Sequence, residues 1–392
     1  MEEVVLVSGC RTAIGRLGGG FENTSASDLA AVVIREAVSR AGIQPDQVDQ
    51  VILGCVGQVM EDGYISRHAA VKAGLPIEVP AVTVNRICGS GLEAINTAAR
   101  WIECGDASII VAGGAENMTM MPYYVRNGRS GYRLGHGQLE DGILHLLGDP
   151  FSKEHMGITA ENLAEKYEIS REQQDEIAVR SQKRAGAAMA AGKFKDQIVP
   201  VEVKAGRETK IIDTDEHPRP ETTVEQLAKL RPAFKEGGMV TAGNASGIND
   251  GAAAVVVMSR SKADELGIKP RLRLVARAEA GVDPSIMGSG PIPAVQKALK
   301  KAGLDASQMD VIELNEAFAS VAAACSTVLG LDPEKTNPNG GAIALGHPIG
   351  ASGAILTVKL MYELERQQAR YGLVSLCIGG GQGIATIFER ID

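Results

Sequence analysis

The sequence predicts an α/β protein built from two copies of one unit, each a sheet covered by helices on both faces. Three observations carry this. Strand-like apolar runs alternate with amphipathic helical patterns in the first and last thirds of the chain. Aromatic residues are only 4% of the composition against 46 Gly, so the core has to be layered from Ala, Val, Ile and Leu with close backbone approaches. The chain also repeats itself: AVSRAGIQPDQVDQVILG from Ala37 matches ALKKAGLDASQMDVIELN from Ala298, with the two AG pairs 261 residues apart. The GSG ending at Gly91 and the ASG ending at Gly353 lie 262 apart, so the offsets agree within one residue.

Taken in order, Val4 to Val7 reads as a strand, followed by a polar loop and a helix from about Ser27, its expected N-cap, to Arg40, stopped by Gly42. Val48 to Val56 and Val82 to Asn85 read as buried strands, the second running into ICGSG and a helix. Ser108 to Ala112 is a further strand, with GGAEN as its glycine-rich exit. From about Thr119 to Asn249 the composition changes. This stretch holds a long charged helix expected over Ile158 to Ala191, turn clusters such as DTDEHPRPET, and four of the six His, and it reads as an insertion. The charges from Ala164 to Arg184 fit a solvated helix face. Lys204, Arg207, Lys210 and Arg219 could form a phosphate patch or an ordinary surface.

At 392 residues the chain has enough sequence for two to three domains. Its 44% apolar and 22% charged residues fit a globular protein, and a net charge of −8 argues against a general nucleic-acid binder. The six Cys are scattered, without a CxxC pair or a Cys/His cluster at metal-ligand spacing, so neither a disulfide framework nor a structural zinc is expected. No run reaches about 18 apolar residues and the N-terminus lacks a leader pattern, so no membrane association is expected and a cytoplasmic setting is the default.

Three positions stand out chemically. Cys88 falls between a strand and the glycine-rich start of a helix, where helix amides would lower the thiol pKa and activate a nucleophile; the plain alternative is a small buried hydrophobe. His347 lies in a loop with five glycines, at nearly the duplicate position of Cys88, and is either the proton acceptor for that thiol or a packed imidazole. Cys377 ends the strand VSLC and precedes IGGGQG, which lacks the spacing of a dinucleotide loop. Asn315, in LNEAF, could hold a water or an oxyanion, or cap a helix.

The segments NRICGSG around Cys88, TAGNASGINDGA from Thr241, NEAF from Asn315, NGGAIALGHPIGASG around His347 and CIGGGQG around Cys377 resemble the thiolase family, and within it the acetyl-CoA acetyltransferases most. The resemblance implies the thiolase fold, two duplicated βαβαβαββ halves in a five-layered αβαβα arrangement with an inserted loop domain. The boundaries implied are 1–118 plus 249–271 for the first half, 119–248 for the loop domain that covers coenzyme A, and 272–392 for the second half.

By the same resemblance Cys88 is the nucleophile, His347 its base, and Cys377 the acid/base at the Cα of the second substrate. Asn315 would hold a water that with His347 forms one oxyanion hole, and the amides of Cys88 and Gly379 would form the other. Ala242 and Ser246 would touch the pantetheine arm, His155 and Met156 would line the acyl and pantetheine end, and Arg219 would lie near the nucleotide. The reaction implied is the reversible, ping-pong Claisen condensation of two acetyl-CoA to acetoacetyl-CoA and CoA by a homotetramer (a dimer of dimers), with no metal or redox cofactor. A degradative 3-ketoacyl-CoA thiolase of broader chain length is the nearest alternative, and a non-catalytic acyl-CoA scaffold a distant one. Two stretches depart from the family pattern: DGYISRHAA (Asp62 to Ala70), where the family has a dimer-supporting segment, and a longer DGILHLLGDPFSKE (Asp141 to Glu154), which bears on chain length.

Overall fold

The computed structural model describes residues 2–391, and the repeat is visible in its element order. The first half runs β1 (Val4–Arg11), α1 (Ala26–Ala41), β2 (Gln50–Gly54), α2 (Ile65–Lys72), β3 (Ala81–Val84), α3 (Ser90–Cys104), β4 (Ile109–Asn117) and, after the insertion, β5 (Asn249–Ser259). Within the insertion lie α4 (Met156–Lys166), α5 (Arg171–Ala190) and a hairpin of Val201–Ala205 with Glu208–Ile212. The second half runs β6 (Leu272–Gly281), α6 (Pro291–Ala302), β7 (Val311–Leu314), α7 (Ala319–Leu329), α8 (Ser352–Gln367), β8 (Tyr371–Ile378) and β9 (Gln382–Arg390).

The first half pairs its strands in the order β3-β2-β4-β5-β1 and the second in the order β7-β8-β9-β6. These are the same order with one strand missing. In its place Thr336 makes a single parallel bridge to Ile312. The two sheets meet edge to edge at β1 and β6 through only the pairs Val5 with Arg273 and Leu6 with Leu272. Helices therefore have to join the halves. α3 packs on β2 and β4 and also touches β9, while α8 packs on β1 and β5 from one side and on β7 and β8 from the other. With α1 and α2 outside the first sheet, and α6 with α7 outside the second, the layers read αβαβα. Twelve of the sixteen α8 residues are buried, as a helix with sheets on both sides requires.

Several local expectations are corrected. The N-cap of α1 is Ser25, which accepts from Asp28 N at 3.1 Å, and the buried carboxylate of Asp62 takes the Ala26 and Ser27 amides at 3.1 and 3.2 Å. GGAEN does not leave the sheet: it completes β4, still paired with β5 up to Asn117 opposite Asp250. The long charged helix is two helices. Glu168 turns the chain at φ 54°, and Ser170 with Gln173 forms a capping box that starts α5. Not all of its charges are solvated either, since Asp175 is buried against Arg171 at 2.8 Å.

The insertion is stapled to β1. The fully buried Arg11 donates to both carboxylate oxygens of Asp215, at 2.7 and 2.9 Å, and to Gln197 Oε1 at 2.9 Å, with the Phe194 ring 5.1 Å from its guanidinium carbon. A buried pair bonded this fully avoids the penalty of an uncompensated charge. Among the described residues no helix is long and apolar enough to cross a membrane.

The tightest contact in the central layer is between the starts of α3 and α8. A Cβ added to Gly353 would lie 2.3 Å from Leu92 N, and one added to Gly91 would lie 2.8 Å from Ala354 N. Gly353→Ala should therefore destabilise by about 1–3 kcal/mol or more. Gly63→Ala, where the added carbon meets nothing within 4 Å, is the control in urea unfolding, and equal midpoints for the two variants would refute the packing argument.

Candidate active site

Cys88 is held by a strained turn. After β3 the chain passes through Ile87 at φ 46°, a left-handed conformation that costs a β-branched residue roughly 1–3 kcal/mol. The strain is offset locally: Asn85 Oδ1 accepts from Ile87 N at 3.0 Å, and Ser90 Oγ accepts from Arg86 N at 2.8 Å while donating to Ile87 O at 2.7 Å. This places the sulfur at the start of α3, with its own amide and that of Gly379 directed at it. The expected lowering of the thiol pKa does not occur. Burial pushes it up to about 11, with the two amides opposing the rise. Desolvation by layers distant in sequence outweighs the helix terminus.

His347 is fixed from three sides. Asn249, the first residue of β5, accepts from His347 N at 2.9 Å and donates to Gly15 O at 2.9 Å. Gly346 has φ 107°, and a Cβ there would lie 2.5 Å from Asn249 Cγ, so glycine is needed on both counts. Ser352 Oγ donates to Pro348 O at 2.9 Å and lies 2.5 Å from His347 Nδ1. With the hydroxyl hydrogen spent on the carbonyl, Oγ accepts the Nδ1 proton. Nε2 then carries the lone pair and faces Asn315 Nδ2 at 3.4 Å. Burial pushes the imidazole down to about 4, so the ring is neutral at physiological pH.

Seven of the sequence-predicted residues open onto one cavity of about 420 Å³: Cys88, His347, Gly379, His155, Met156, Ala242 and Ser246, with the Met156 side chain lying against Gly379. His155 caps α4 by accepting from Gly157 N at 3.0 Å and stacks on Phe234 at 4.5 Å. Burial lowers its pKa. Ser246 is placed by its amide, which donates to Ala317 O at 3.0 Å. Three predicted residues lie off the wall. Asn315 is buried behind His347 and caps no helix, since α7 begins at Ala319. Cys377 is fully buried in the cluster beneath the outer helices. Its pKa stands well above the ordinary value because of burial and the nearby Cys88 and Cys325 sulfurs. Arg219 is exposed and does not line the cavity; burial and then the Arg219 charge lower the pKa of His217, whose ring lies against the wall residue Gly247.

Residues 4–261 match the family description "Thiolase, N-terminal domain" and residues 268–390 match "Thiolase, C-terminal domain". The chain belongs to the thiolase family. It is 55% identical over 391 residues, 99% of both chains, to the beta-ketothiolase BktB of Cupriavidus necator. It is 50% identical over 394 residues, the whole of both chains, to the acetyl-CoA acetyltransferase of Escherichia coli K12. The crystal structure of the Bacillus anthracis acetyl-CoA acetyltransferase superposes with a TM-score of 0.98 at 46% identity, covering 100% of this chain and 99% of that one. Human mitochondrial 3-ketoacyl-CoA thiolase in complex with CoA does so at 0.96 and 45%, covering 100% and 98%. The protein is thus an acyltransferase with the thiolase fold.

Other residues of this thiolase shape the site although the sequence did not single them out. Glu116, fully buried at the end of β4, accepts from Val56 N at 3.1 Å, Gly57 N at 2.7 Å and Gly350 N at 2.7 Å. It thereby ties the His347 loop to the exit of β2. Only its place in GGAEN, at a strand's carboxyl end, could have pointed to it. Asn249 and Ser352 lie inside recognised motifs yet act by hydrogen bonds between distant segments. Phe234 and Phe318 line the cavity with edge-to-face rings at 6.2 Å.

The raised Cys88 pKa has a measurable sign. Below about 11 the thiolate fraction grows tenfold per pH unit, so iodoacetamide inactivation should accelerate about tenfold per unit between pH 7 and 9. Cys104 is exposed and would consume reagent, so the measurement uses the Cys104→Ser protein. A rate that levels off below pH 8 would contradict a thiol neutral at rest.

Proposed function

We propose that this thiolase interconverts two acetyl-CoA with acetoacetyl-CoA and CoA through an acetyl-Cys88 intermediate. The observation that carries the reading is that Cys88, His347 and the Gly379 amide open on one cavity with mostly apolar walls. That wall suits a pantetheine arm, and its polar groups converge where a thioester carbonyl would sit.

In the first half-reaction the Cys88 sulfur attacks the thioester carbon while its proton passes to His347 Nε2. With the thiol near 11 and the imidazole near 4, a pre-formed ion pair is disfavoured, so proton transfer accompanies S–C bond formation. The developing oxyanion is received by the Cys88 and Gly379 amides, each such donor supplying roughly 2.7–4 kcal/mol. CoA leaves with the proton returned by His347. In the second half-reaction Cys377 gives up its own thiol proton to His347 Nε2 as it takes one from the methyl of another acetyl-CoA. The enolate, stabilised at its oxygen by the now protonated His347 Nε2 and a water held by Asn315, attacks the acetyl carbon, and the Cys88 sulfur departs and takes the proton back from His347. In thiolysis the steps reverse. The protonated, high-pKa Cys377 thiol is then the acid for the departing acetyl-CoA carbon.

In the same proposal 1–118 with 249–271 and 272–392 are the two catalytic halves, and the insertion 119–248 covers CoA. His155, Met156, Ala242 and Ser246 lie along the pantetheine and acyl end, and Arg219 lies at the outer, nucleotide end. We assign no metal or redox cofactor a role; among the described residues none of the His, Cys, Asp and Glu side chains group in threes to hold an ion. The proposed assembly is a homotetramer, supported by exposed apolar side chains: Tyr64 and Ile77 near the edge strand β3, and Leu134, at 97% exposure, with Leu139 in the insertion. Sedimentation velocity reads that state directly. A cytoplasmic setting is proposed on the six free thiols.

Cys377→Ala should still acquire an acetyl group from acetyl-CoA but lose condensation and thiolysis by roughly 10² to 10⁴ in rate, whereas Cys88→Ala should acquire none. Intact-protein mass spectrometry separates them, and an acetylated Cys88→Ala protein would sink the assignment. The second reading, a 3-ketoacyl-CoA thiolase of broader chain length, is favoured by the apolar Leu146, Leu147 and Met287 along the wall. Thiolysis of acetoacetyl-, 3-ketohexanoyl- and 3-ketooctanoyl-CoA decides between them. We expect the highest kcat/KM with acetoacetyl-CoA, and a preference for the longer substrates would replace the first reading with the second.

A further inference from the structure

Asn315 and Ser352, the two side chains that flank the His347 ring, also form part of the wall of a second cavity of about 10 Å³, room for one water molecule. The third polar side chain on that wall is Lys359, seven residues along α8 from Ser352 and therefore on the same helical face. Lys359 is 2% exposed. Its Nζ donates to Glu313 Oε2 at 2.7 Å and to Gly340 O at 2.8 Å. An ammonium has three hydrogens, so one remains. On the same wall is Asn315, 1% exposed, whose Oδ1 is buried without a hydrogen-bond partner among the described residues. A spare donor and a spare acceptor thus border a space that fits one water, and a buried polar atom left without a partner is destabilising.

We propose that this cavity is a water site in which a single molecule accepts from Lys359 Nζ and donates to Asn315 Oδ1, and that Lys359 is thereby a positioning residue for the amide of Asn315. The inference rests on the proposed role of Asn315 in receiving the substrate oxygen. An amide is nearly symmetric in shape, and only hydrogen bonds decide which end faces which way. With Oδ1 held by the water, Nδ2 is directed at His347 Nε2 and the space beside it. Flipped, the amide would present its oxygen to the imidazole lone pair and to a developing negative charge. Glu313 lies in β7 and Asn315 follows the strand directly, two residues on, so the ion pair and the amide are held by one short stretch of chain. Stability alone gives little reason for the pair, since buried ion pairs are commonly no better than well-packed apolar side chains of the same volume.

Two experiments test this. A high-resolution crystal structure of the unaltered protein should contain an ordered water about 3 Å from both Lys359 Nζ and Asn315 Oδ1; a cavity without density, or a water touching neither atom, overturns the proposal. The second is kinetic and replaces the pair together, as Lys359→Met with Glu313→Gln, because removing the lysine alone strands a buried carboxylate. We expect kcat for acetoacetyl-CoA thiolysis to fall between tenfold and roughly 10²-fold, with KM changed less than twofold. Adding Asn315→Ala to that background should cost far less than it does in the unaltered protein. If the two losses multiply, Lys359 is merely structural and the proposal fails. A full kcat in the paired variant, alongside a large loss in Asn315→Ala, sinks this inference alone. An unaffected Asn315→Ala protein sinks the reading of Asn315 beneath it. Should the paired variant not fold, the crystallographic result decides.

Discussion

The geometry of this thiolase depends on two helices touching backbone to backbone. Gly91 and Gly353, the matching glycines of the internal repeat, let the first turns of α3 and α8 approach until an added methyl would sit 2.3 to 2.8 Å from a main-chain nitrogen. Non-bonded carbon atoms normally settle at about 3.5–4.0 Å, so no other residue fits without moving a helix. Cys88 lies three residues before one glycine and His347 six before the other. Their shared cavity is therefore a consequence of a central layer that neither half can complete alone. The edge contact between the sheets, two residue pairs long, is too slight to set that geometry.

Enclosure in five layers also sets the electrostatics. The thiol rises and the imidazole falls for one reason, loss of water, and both changes favour the uncharged pair. Several buried ionisable groups sit at seams and are hydrogen-bonded across them. Arg11 with Asp215 joins the insertion to β1, Glu116 joins the His347 loop to β2, and Lys359 with Glu313 joins α8 to β7. Because an unpaired ion at any of these places would be strongly destabilising, the seams tolerate little misalignment. The reactive groups inherit that precision.

Much of this was legible in the sequence. Strand and helix alternation is a local signal, and the repeat doubled it, so the α/β class, the two copies and the insertion could be read; the five layers were implied only by the resemblance to the thiolase family, and the strand order was not read. Cys88 and His347 stood out because glycines crowd around them, and glycine marks places where backbones or ligands come close. What could not be read depends on residues far apart in the chain. The direction of the Cys88 shift comes from burial by other layers, whereas the sequence displays only the helix start that opposes it. Glu116 accepts amides from three segments that no spacing connects. The break at Glu168 is decided by a single capping serine inside a pattern that otherwise continues as helix. The missing strand of the second half, reduced to the Thr336 bridge, leaves no trace in a repeat whose offset changes by only one residue.

The insertion departs from the sheet after Asn117 and returns at Asn249, and the neighbouring Asp250 is paired directly with Asn117. Its two ends are thus adjacent rungs of one ladder, and the sheet closes over them whatever lies between. Residues can be added to or removed from the insertion's part of the cavity wall without shifting the pairing of β4 with β5. That wall and the sheet behind it are in this sense separately built, and Arg11 is the rivet that ties one to the other.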